Sequence, residues 1–395
     1  MDRIRLIENR CKGEGCDLSA FGPEQKDQVR AFHASFPEYA PTPLVRLEDL
    51  AGRLGVDGIC IKDESYRFGL NAFKVLGGSY AIGQLLARRL GKSISDAGYP
   101  VLTGREAEKA LEGLTFITAT DGNHGRGVAW TAAKLGCRSI VYMPAGTAPE
   151  RLENIRKLGS DASITDLVYD DAVRKAASDA QKNNWILVQD TSLPGYEEIP
   201  KLIMQGYMTM GSEALEQMGG VLPTHVFLQA GVGSMAAAVA ATLAVLCGEN
   251  RPKIIIVEPH SADCVFRTGL ANDGQLHAAE GEMRTIMAGL ACGEVCAPAW
   301  EILKELADFF ITISDDVAAE GMRKLAAPEG DDRKVVSGES GASTFGSVLA
   351  LLTDASLAPL RDQIGLDSRS VILCFSTEGA TDKENYRKIV GRDSI

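Results

Sequence analysis

The stretch Arg67-Phe-Gly-Leu-Asn-Ala-Phe-Lys-Val-Leu-Gly-Gly-Ser-Tyr80 decides how the rest of the chain is read. It follows the apolar segment Ile59-Cys-Ile-Lys-Asp-Glu64 and opens a helix predicted from Phe73 to about Leu90, with Val75, Leu76, Tyr80, Ile82, Leu85 and Leu86 supplying its apolar positions. Lys74 has no packing reason to stand on the first turn of such a helix. The positive end of the helix dipole lies there and disfavours a charged amine. A neutral amine is a nucleophile and a base. A solvated surface lysine is the plain alternative, and three further segments argue against it.

The first is Thr118-Ala-Thr-Asp-Gly-Asn-His-Gly-Arg-Gly127, between the apolar strand Leu114-Thr-Phe-Ile-Thr and the helical run Val128-Ala-Trp-Thr-Ala-Ala-Lys-Leu. Its glycines let backbone approach a ligand, while Thr120, Asp121, Asn123 and His124 bring polar atoms to the carboxyl end of a strand, where open α/β sheets bind ligands. A plain turn explains the glycines but not four polar side chains. The second is Gln229-Ala-Gly-Val-Gly-Ser-Met-Ala236, between the strand Thr224-His-Val-Phe-Leu and an alanine-rich helix. Backbone amides at that helix start make a phosphate seat. The same segment also fits the dinucleotide pattern G-x-G-x-x-A, with Glu258 closing the next strand, so a nicotinamide oxidoreductase is a rival reading. The third is Ser370-Val-Ile-Leu-Cys-Phe-Ser-Thr-Glu-Gly379, a buried strand that delivers the Ser376 and Thr377 hydroxyls to one rim of a sheet, or else a turn or helix cap.

Together with Pro41-Thr-Pro-Leu44 and Val257-Glu-Pro259, these elements resemble, in their order, the fold-type-II pyridoxal phosphate enzymes. The resemblance runs from Pro41 to Gly379. It implies an α/β fold of two open parallel-sheet domains with helices on both faces and an active site in the cleft between them. Within that group, Leu70-Asn-Ala-Phe-Lys74, Thr120-Asp-Gly-Asn123, Val188-Gln-Asp-Thr191, Gly195-Tyr-Glu-Glu-Ile-Pro200, Ile203-Met-Gln-Gly-Tyr207 and Ser376-Thr-Glu-Gly-Ala-Thr-Asp382 are similar to the diaminopropionate ammonia-lyase family. Ser192-Leu-Pro194 departs from it where Ala-Trp-Glu is expected, which bears on substrate packing.

The resemblance implies pyridoxal 5'-phosphate bound covalently to Lys74, with Asn123 on its ring hydroxyl. Gly231, Val232, Gly233, Ser234 and Met235 would seat its phosphate, and Ser376 or Thr377 would lie at its ring nitrogen. Thr120 would hold the substrate carboxylate. A hydroxyl at the ring nitrogen makes a moderate electron sink, which suits β-elimination. Asp121 marks the substrate: a carboxylate beside the α- and β-carbons recognises a β-ammonium group or acts as a second base opposite Lys74, and Asp190 would complete that acidic pocket unless it caps a turn. The expected reaction is elimination from 2,3-diaminopropionate, both enantiomers, to pyruvate and two ammonia. Serine or threonine dehydration on the same fold stays open, as does a ligand-sensing role.

With 395 residues, 45% hydrophobic and 24% charged, the chain can bury a large core in two or three domains. A net charge of -12 argues against nucleic acid or anionic membrane as a partner. No apolar run reaches a membrane span, and the amino terminus lacks a signal-peptide core, so a cytoplasmic enzyme is expected. Nine cysteines without a secretory signal argue against a disulfide framework. No metal is expected from Cys11, Cys16, Cys292 and Cys296, which lack Cys-x-x-Cys spacing. If any pair oxidises, it is Cys264 with Cys292. A homodimer is carried over from the family.

Strands are predicted at Leu114–Thr120, Ser139–Pro144, Ala162–Leu167 and Trp185–Asp190, alternating with helices, and again at Val226, Ile254, Phe310 and Ile372. The helix after Pro144 is expected to start with a Thr147/Glu150 capping box and to end at Gly159. The large domain is placed at 1–77 and 195–395 and the small one at 78–194. Ser93 to Glu112 and Gly269 to Gly293 are read as insertions or lids.

Overall fold

A computed structural model describes residues 2–13, 15–120 and 122–391. Its strands are β1 (Ile4–Glu8), β2 (Leu44–Arg46), β3 (Gly58–Asp63), β4 (Thr115–Ala119), β5 (Arg138–Met143), β6 (Asp161–Ile164), β7 (Ile186–Leu187), β8 (His225–Gln229), β9 (Lys253–Pro259), β10 (Phe309–Ile313) and β11 (Val371–Ser376). The chain divides into two compact units, one of Met1–Ser19, Pro41–Tyr66 and Met210–Ile395, the other of Ala20–Ala40 and Arg67–Thr209.

The larger unit holds a seven-stranded sheet of order β1-β10-β9-β8-β11-β3-β2. The five inner strands run parallel, and β1 and β2 close the two edges antiparallel. Strands such as Lys253-Ile-Ile-Ile-Val and Val371-Ile-Leu-Cys-Phe are buried almost throughout, because helices cover both faces of a parallel sheet. Ile61, Phe227, Ile255, Val257, Ile311, Ile372 and Phe345 share one core cluster. The helix Ser234–Cys247 is apolar on every side and correspondingly buried, as a core helix must be.

The smaller unit holds a four-stranded parallel sheet of order β6-β5-β4-β7. Its last strand is shorter than the sequence suggests. Val188 N–H still donates to Ile117 O at 2.9 Å, and the chain then leaves the ladder, with Gln189 N–H donating to the Tyr196 hydroxyl. This unit groups Ala20–Ala40 and Arg67–Thr209 with the small sheet. The reason is packing around the helix Val75–Arg89, which bears against the helices Pro23–Ala34, Asn123–Lys134 and Glu198–Gly206. The Phe32 ring fills the groove over Gly83, and Gly206 seats against the Leu76 carbonyl with no room for a side chain.

One local expectation is corrected. The helix Pro149–Arg156 has Ala148 as its N-cap and no capping box, because the Thr147 hydroxyl turns back to donate to Pro144 O at 2.8 Å. Pro149 does open the helix, and Gly159 with φ +85° follows its end. Ser93 to Glu112 folds as Ile94–Asp96, Tyr99–Leu102 and Arg105–Leu111, burying Ile94, Leu102, Ala107 and Leu111.

Candidate active site

In the smaller unit, Lys74 is the N-cap residue of the helix Val75–Arg89, at the end of a loop bent through positive φ at Phe68, Gly69 and Asn71. Such a loop needs these turns to bring the lysine round to the helix axis, and Asn and Gly tolerate them. The helix start is then fixed from three sides. Gly127 lets the helix Asn123–Lys134 press its backbone against Val75, and His33, fully buried, donates from Nε2 to Leu76 O at 3.0 Å while Nδ1 accepts from Thr209 at 2.7 Å. Tyr207 stacks on Phe73 with ring centroids 4.8 Å apart, and its ring occupies the space that a side chain at Gly77 would take.

Lys74 Nζ lies 2.9 Å from Asp190 Oδ2, in an ion pair whose side chains are 16% and 4% exposed. The amine is thus held by a carboxylate and not left to the helix dipole alone. Around Asp190, the Tyr169 hydroxyl donates to Oδ1 at 3.4 Å and Gln189 Nε2 at 3.3 Å. His124 Nδ1 stands 3.8 Å from Oδ2, while Nε2 donates to Val188 O at 2.8 Å. Among the described residues, Nδ1 has no hydrogen-bond partner. Burial pushes the Asp190 carboxyl up, but attraction to His124 and Lys74 and the Lys74 hydrogen bond outweigh it and hold the group well below the usual carboxylate range. Burial, with Asp190 nearby, raises the Tyr207 phenol far above its ordinary value, so this hydroxyl keeps its proton at any physiological pH.

Thr120 directly follows β4, its Oγ1 accepting from Gly122 N–H at 2.9 Å, and Asn123 begins the following helix. Asp121 lies outside the described residues. His124 stood among the loop's polar residues in the sequence without a role. Tyr169 and Tyr207 had no signal that tied them to the lysine, since their proximity depends on helix packing.

In the larger unit, β8 leads through Gly231, Val232 and Gly233 to the helix beginning at Ser234 and Met235. Gly233 has φ +94°, a left-handed conformation that only glycine adopts without strain. The first N–H groups of that helix lack intrahelical acceptors and gather at its positive end. The loop is braced from behind: Cys296 N–H donates to Val232 O at 2.9 Å, and a side chain at Gly231 would meet Cys292 Sγ at 3.0 Å. Cys264 and Cys292 are buried, and the Cys264 sulfur lies 3.6 Å from Gly231 O.

At the end of β11 the two hydroxyls part ways. Ser376 Oγ donates to Ser337 Oγ at 2.8 Å, whereas Thr377 Oγ1 accepts from Gln229 Nε2 at 2.8 Å and keeps its proton for another acceptor. Glu258, the acid of the dinucleotide reading, is engaged elsewhere. It is fully buried and accepts the Val265 and Phe266 N–H groups at 2.9 and 2.6 Å, capping the helix Cys264–Ala271. Both its oxygens are thus committed to this helix start inside the core. Burial pushes its carboxyl up to about 8.

These residues fit pyridoxal phosphate. A lysine amine, a helix start that seats a dianion, and a buried hydroxyl with a proton to give are the groups it needs. A family model described as pyridoxal-phosphate dependent enzyme matches residues 36–362. The diaminopropionate ammonia-lyase of Salmonella typhimurium (strain LT2) is 48% identical over 382 residues, covering 96% of this chain and 95% of that protein. The crystal structure of diaminopropionate ammonia lyase from Escherichia coli in complex with an aminoacrylate-PLP azomethine reaction intermediate superposes with a TM-score of 0.90 at 45% identity, covering 98% of this chain and 96% of that one. The same lyase in complex with D-serine gives the same values. The chain belongs to the pyridoxal-phosphate dependent enzyme family and, within it, to the diaminopropionate ammonia-lyases, which are carbon–nitrogen lyases.

Proposed function

We propose that the protein eliminates ammonia from 2,3-diaminopropionate and that water completes the conversion to pyruvate and a second ammonia. Atoms balance: one substrate and one water give one pyruvate and two ammonia. The observation that carries this reading is the buried Asp190 carboxylate 2.9 Å from Lys74 Nζ. A substrate with a second ammonium group has a use for a carboxylate at the reacting amine, and a hydroxyl substrate has none.

Bound pyridoxal phosphate supplies the electron sink for the broken α-C–H bond. Lys74 forms the covalent link and, once displaced by the substrate's α-amine, takes the α-proton of one enantiomer. Asp121 takes the proton of the other. Asp190 attracts the β-ammonium group before it leaves. Asn123 hydrogen-bonds the ring hydroxyl, and Thr120 with its neighbouring N–H groups holds the substrate carboxylate. Gly231, Val232, Gly233, Ser234 and Met235 seat the phosphate with backbone N–H groups. Of the two hydroxyls, Thr377 is the one for the ring nitrogen, because the Ser376 proton is engaged by Ser337. The D-serine complex of the Escherichia coli lyase supports entry of D-configured ligands. The working form is taken as a cytoplasmic homodimer, which sedimentation of the purified protein tests.

The test is turnover of D- and L-diaminopropionate beside serine and threonine, with pyruvate and ammonia measured together. One pyruvate per two ammonia, from both enantiomers, is expected. Faster turnover of serine or threonine would overturn the assignment. Asp121→Asn should lose activity on one enantiomer selectively, and equal losses on both would refute the division between two bases.

A further inference from the structure

Gln229 is the last residue of β8, 2% exposed, and directly precedes the phosphate-seat loop. Its Nε2 donates to Phe375 O at 2.9 Å, to Thr377 Oγ1 at 2.8 Å and, more weakly, to Ser340 O at 3.2 Å. Two of these partners are carbonyls, which only accept. The amide orientation is therefore settled by chemistry: turned over, Oε1 would face them both. Among the described residues, the buried Oε1 has no hydrogen-bond partner. A buried acceptor left unpaired is destabilising, so this glutamine is a poor choice for stability alone.

What the amide does achieve is orientation. A hydroxyl has one proton and two lone pairs. With one lone pair of Thr377 taken by the Gln229 N–H, the Thr377 proton is turned away from the amide. Gln229 also ties this hydroxyl to the phosphate-seat loop. Ser340, whose carbonyl it holds, accepts Gly289 N–H on its hydroxyl at 3.1 Å, and the Gly289 carbonyl lies 3.2 Å from where a Gly231 side chain would begin.

We propose that Gln229 is a positioning residue that fixes the Thr377 hydroxyl as a proton donor to the pyridine nitrogen, and so sets how strongly the ring withdraws electrons. The inference rests on pyridoxal phosphate being the cofactor, as given under Proposed function. Without the amide, Thr377 can rotate and offer a lone pair in place of its proton. The ring would then be tuned differently while the lysine link and the phosphate seat stayed intact.

The experiment compares wild type, Gln229→Met, Thr377→Val and the double variant as holoenzymes. It reads the visible absorption band, its pH titration, and kcat and KM for diaminopropionate. Gln229→Met should keep the band but shift its maximum or its titration midpoint in the same direction as Thr377→Val, and lower kcat about tenfold with KM changed less than twofold. In the Thr377→Val background the same glutamine change should have no further spectral effect. A spectral shift of equal size in both backgrounds, or an unchanged spectrum in Gln229→Met, overturns the proposal. If Gln229→Met does not fold, Gln229→Glu serves, since it keeps the length but removes the paired donors; a wild-type spectrum and titration in that variant refute the role. Absence of any visible band in the wild type would instead refute the cofactor.

Discussion

Replacing Gly127 by alanine tests how closely the chemistry depends on the seat of Lys74. A Cβ at this position would stand 2.7 Å from Val75 Cα, 3.0 Å from Val75 N and 3.3 Å from the Lys74 carbonyl carbon. Carbon atoms in ordinary contact are about 3.5 Å apart, so the two helices must part by roughly 0.8 Å. All three obstructing atoms are backbone, and none can swing aside. Overpacking of this kind costs about 1–3 kcal/mol of stability. The larger effect falls on rate, because the displaced backbone carries the amine that must reach the α-carbon, and a misplacement near 1 Å costs on the order of a hundredfold. Pyruvate production coupled to NADH oxidation gives kcat, the visible band reports the lysine link, and a thermal melt reports stability. Gly127→Ala should keep the band, melt modestly lower and lose between about tenfold and a hundredfold in kcat. The same substitution at Gly136, where nothing lies within 4 Å, is no steric control, since its φ of +70° strains any side chain; Gly52→Ala, in open space with ordinary φ, is. Full kcat in Gly127→Ala would refute the link between this contact and the lysine.

Asp190→Asn breaks a buried ion pair and should destabilise the cofactor-stripped protein by about 3 kcal/mol near neutral pH, measured by denaturant melting. Because the folded carboxyl is held below its usual range, the stability it adds is present above about pH 4 and is lost as pH falls further, so the variant should show a shallower acid limb. Glu258 has the opposite sign: its protonated form stabilises the fold at low pH, and that contribution is lost as pH rises through about 8. Glu258→Gln should therefore flatten the decline in stability between about pH 4.5 and pH 8, and an unchanged pH–stability curve would contradict this. Thr377→Val should retain the visible band and lower kcat, whereas Ser376→Ala should leave the band position unchanged.

Much of this was legible in the sequence because side-chain chemistry and chain order carried it. Lys74 at a helix start, the Gly231–Gly233 turn and the apolar strands from His225 to Ser376 are local patterns, and the structure forms them where they were expected. The edge strands β1 and β2 were missed, since Ile4–Glu8 and Leu44–Arg46 are short and half-exposed and take their strand form from their neighbours. The capping box failed because Thr147 has a nearer acceptor in Pro144 O. Glu258 matched a dinucleotide pattern by spacing, but only the fold reveals that both its oxygens face a helix terminus. The meeting of Asp190, His124 and Lys74 likewise depends on the ends of β4 and β7 lying side by side with the helix Val75–Arg89, which no local pattern encodes.

The central claim is that the Lys74 amine carries the cofactor. Reducing the purified protein with borohydride and mapping its peptides should find the pyridoxyl group on Lys74, with the visible band abolished by reduction and absent from Lys74→Ala. A pyridoxyl group on another lysine, or an unmodified Lys74 peptide from protein that shows the band, would contradict the account.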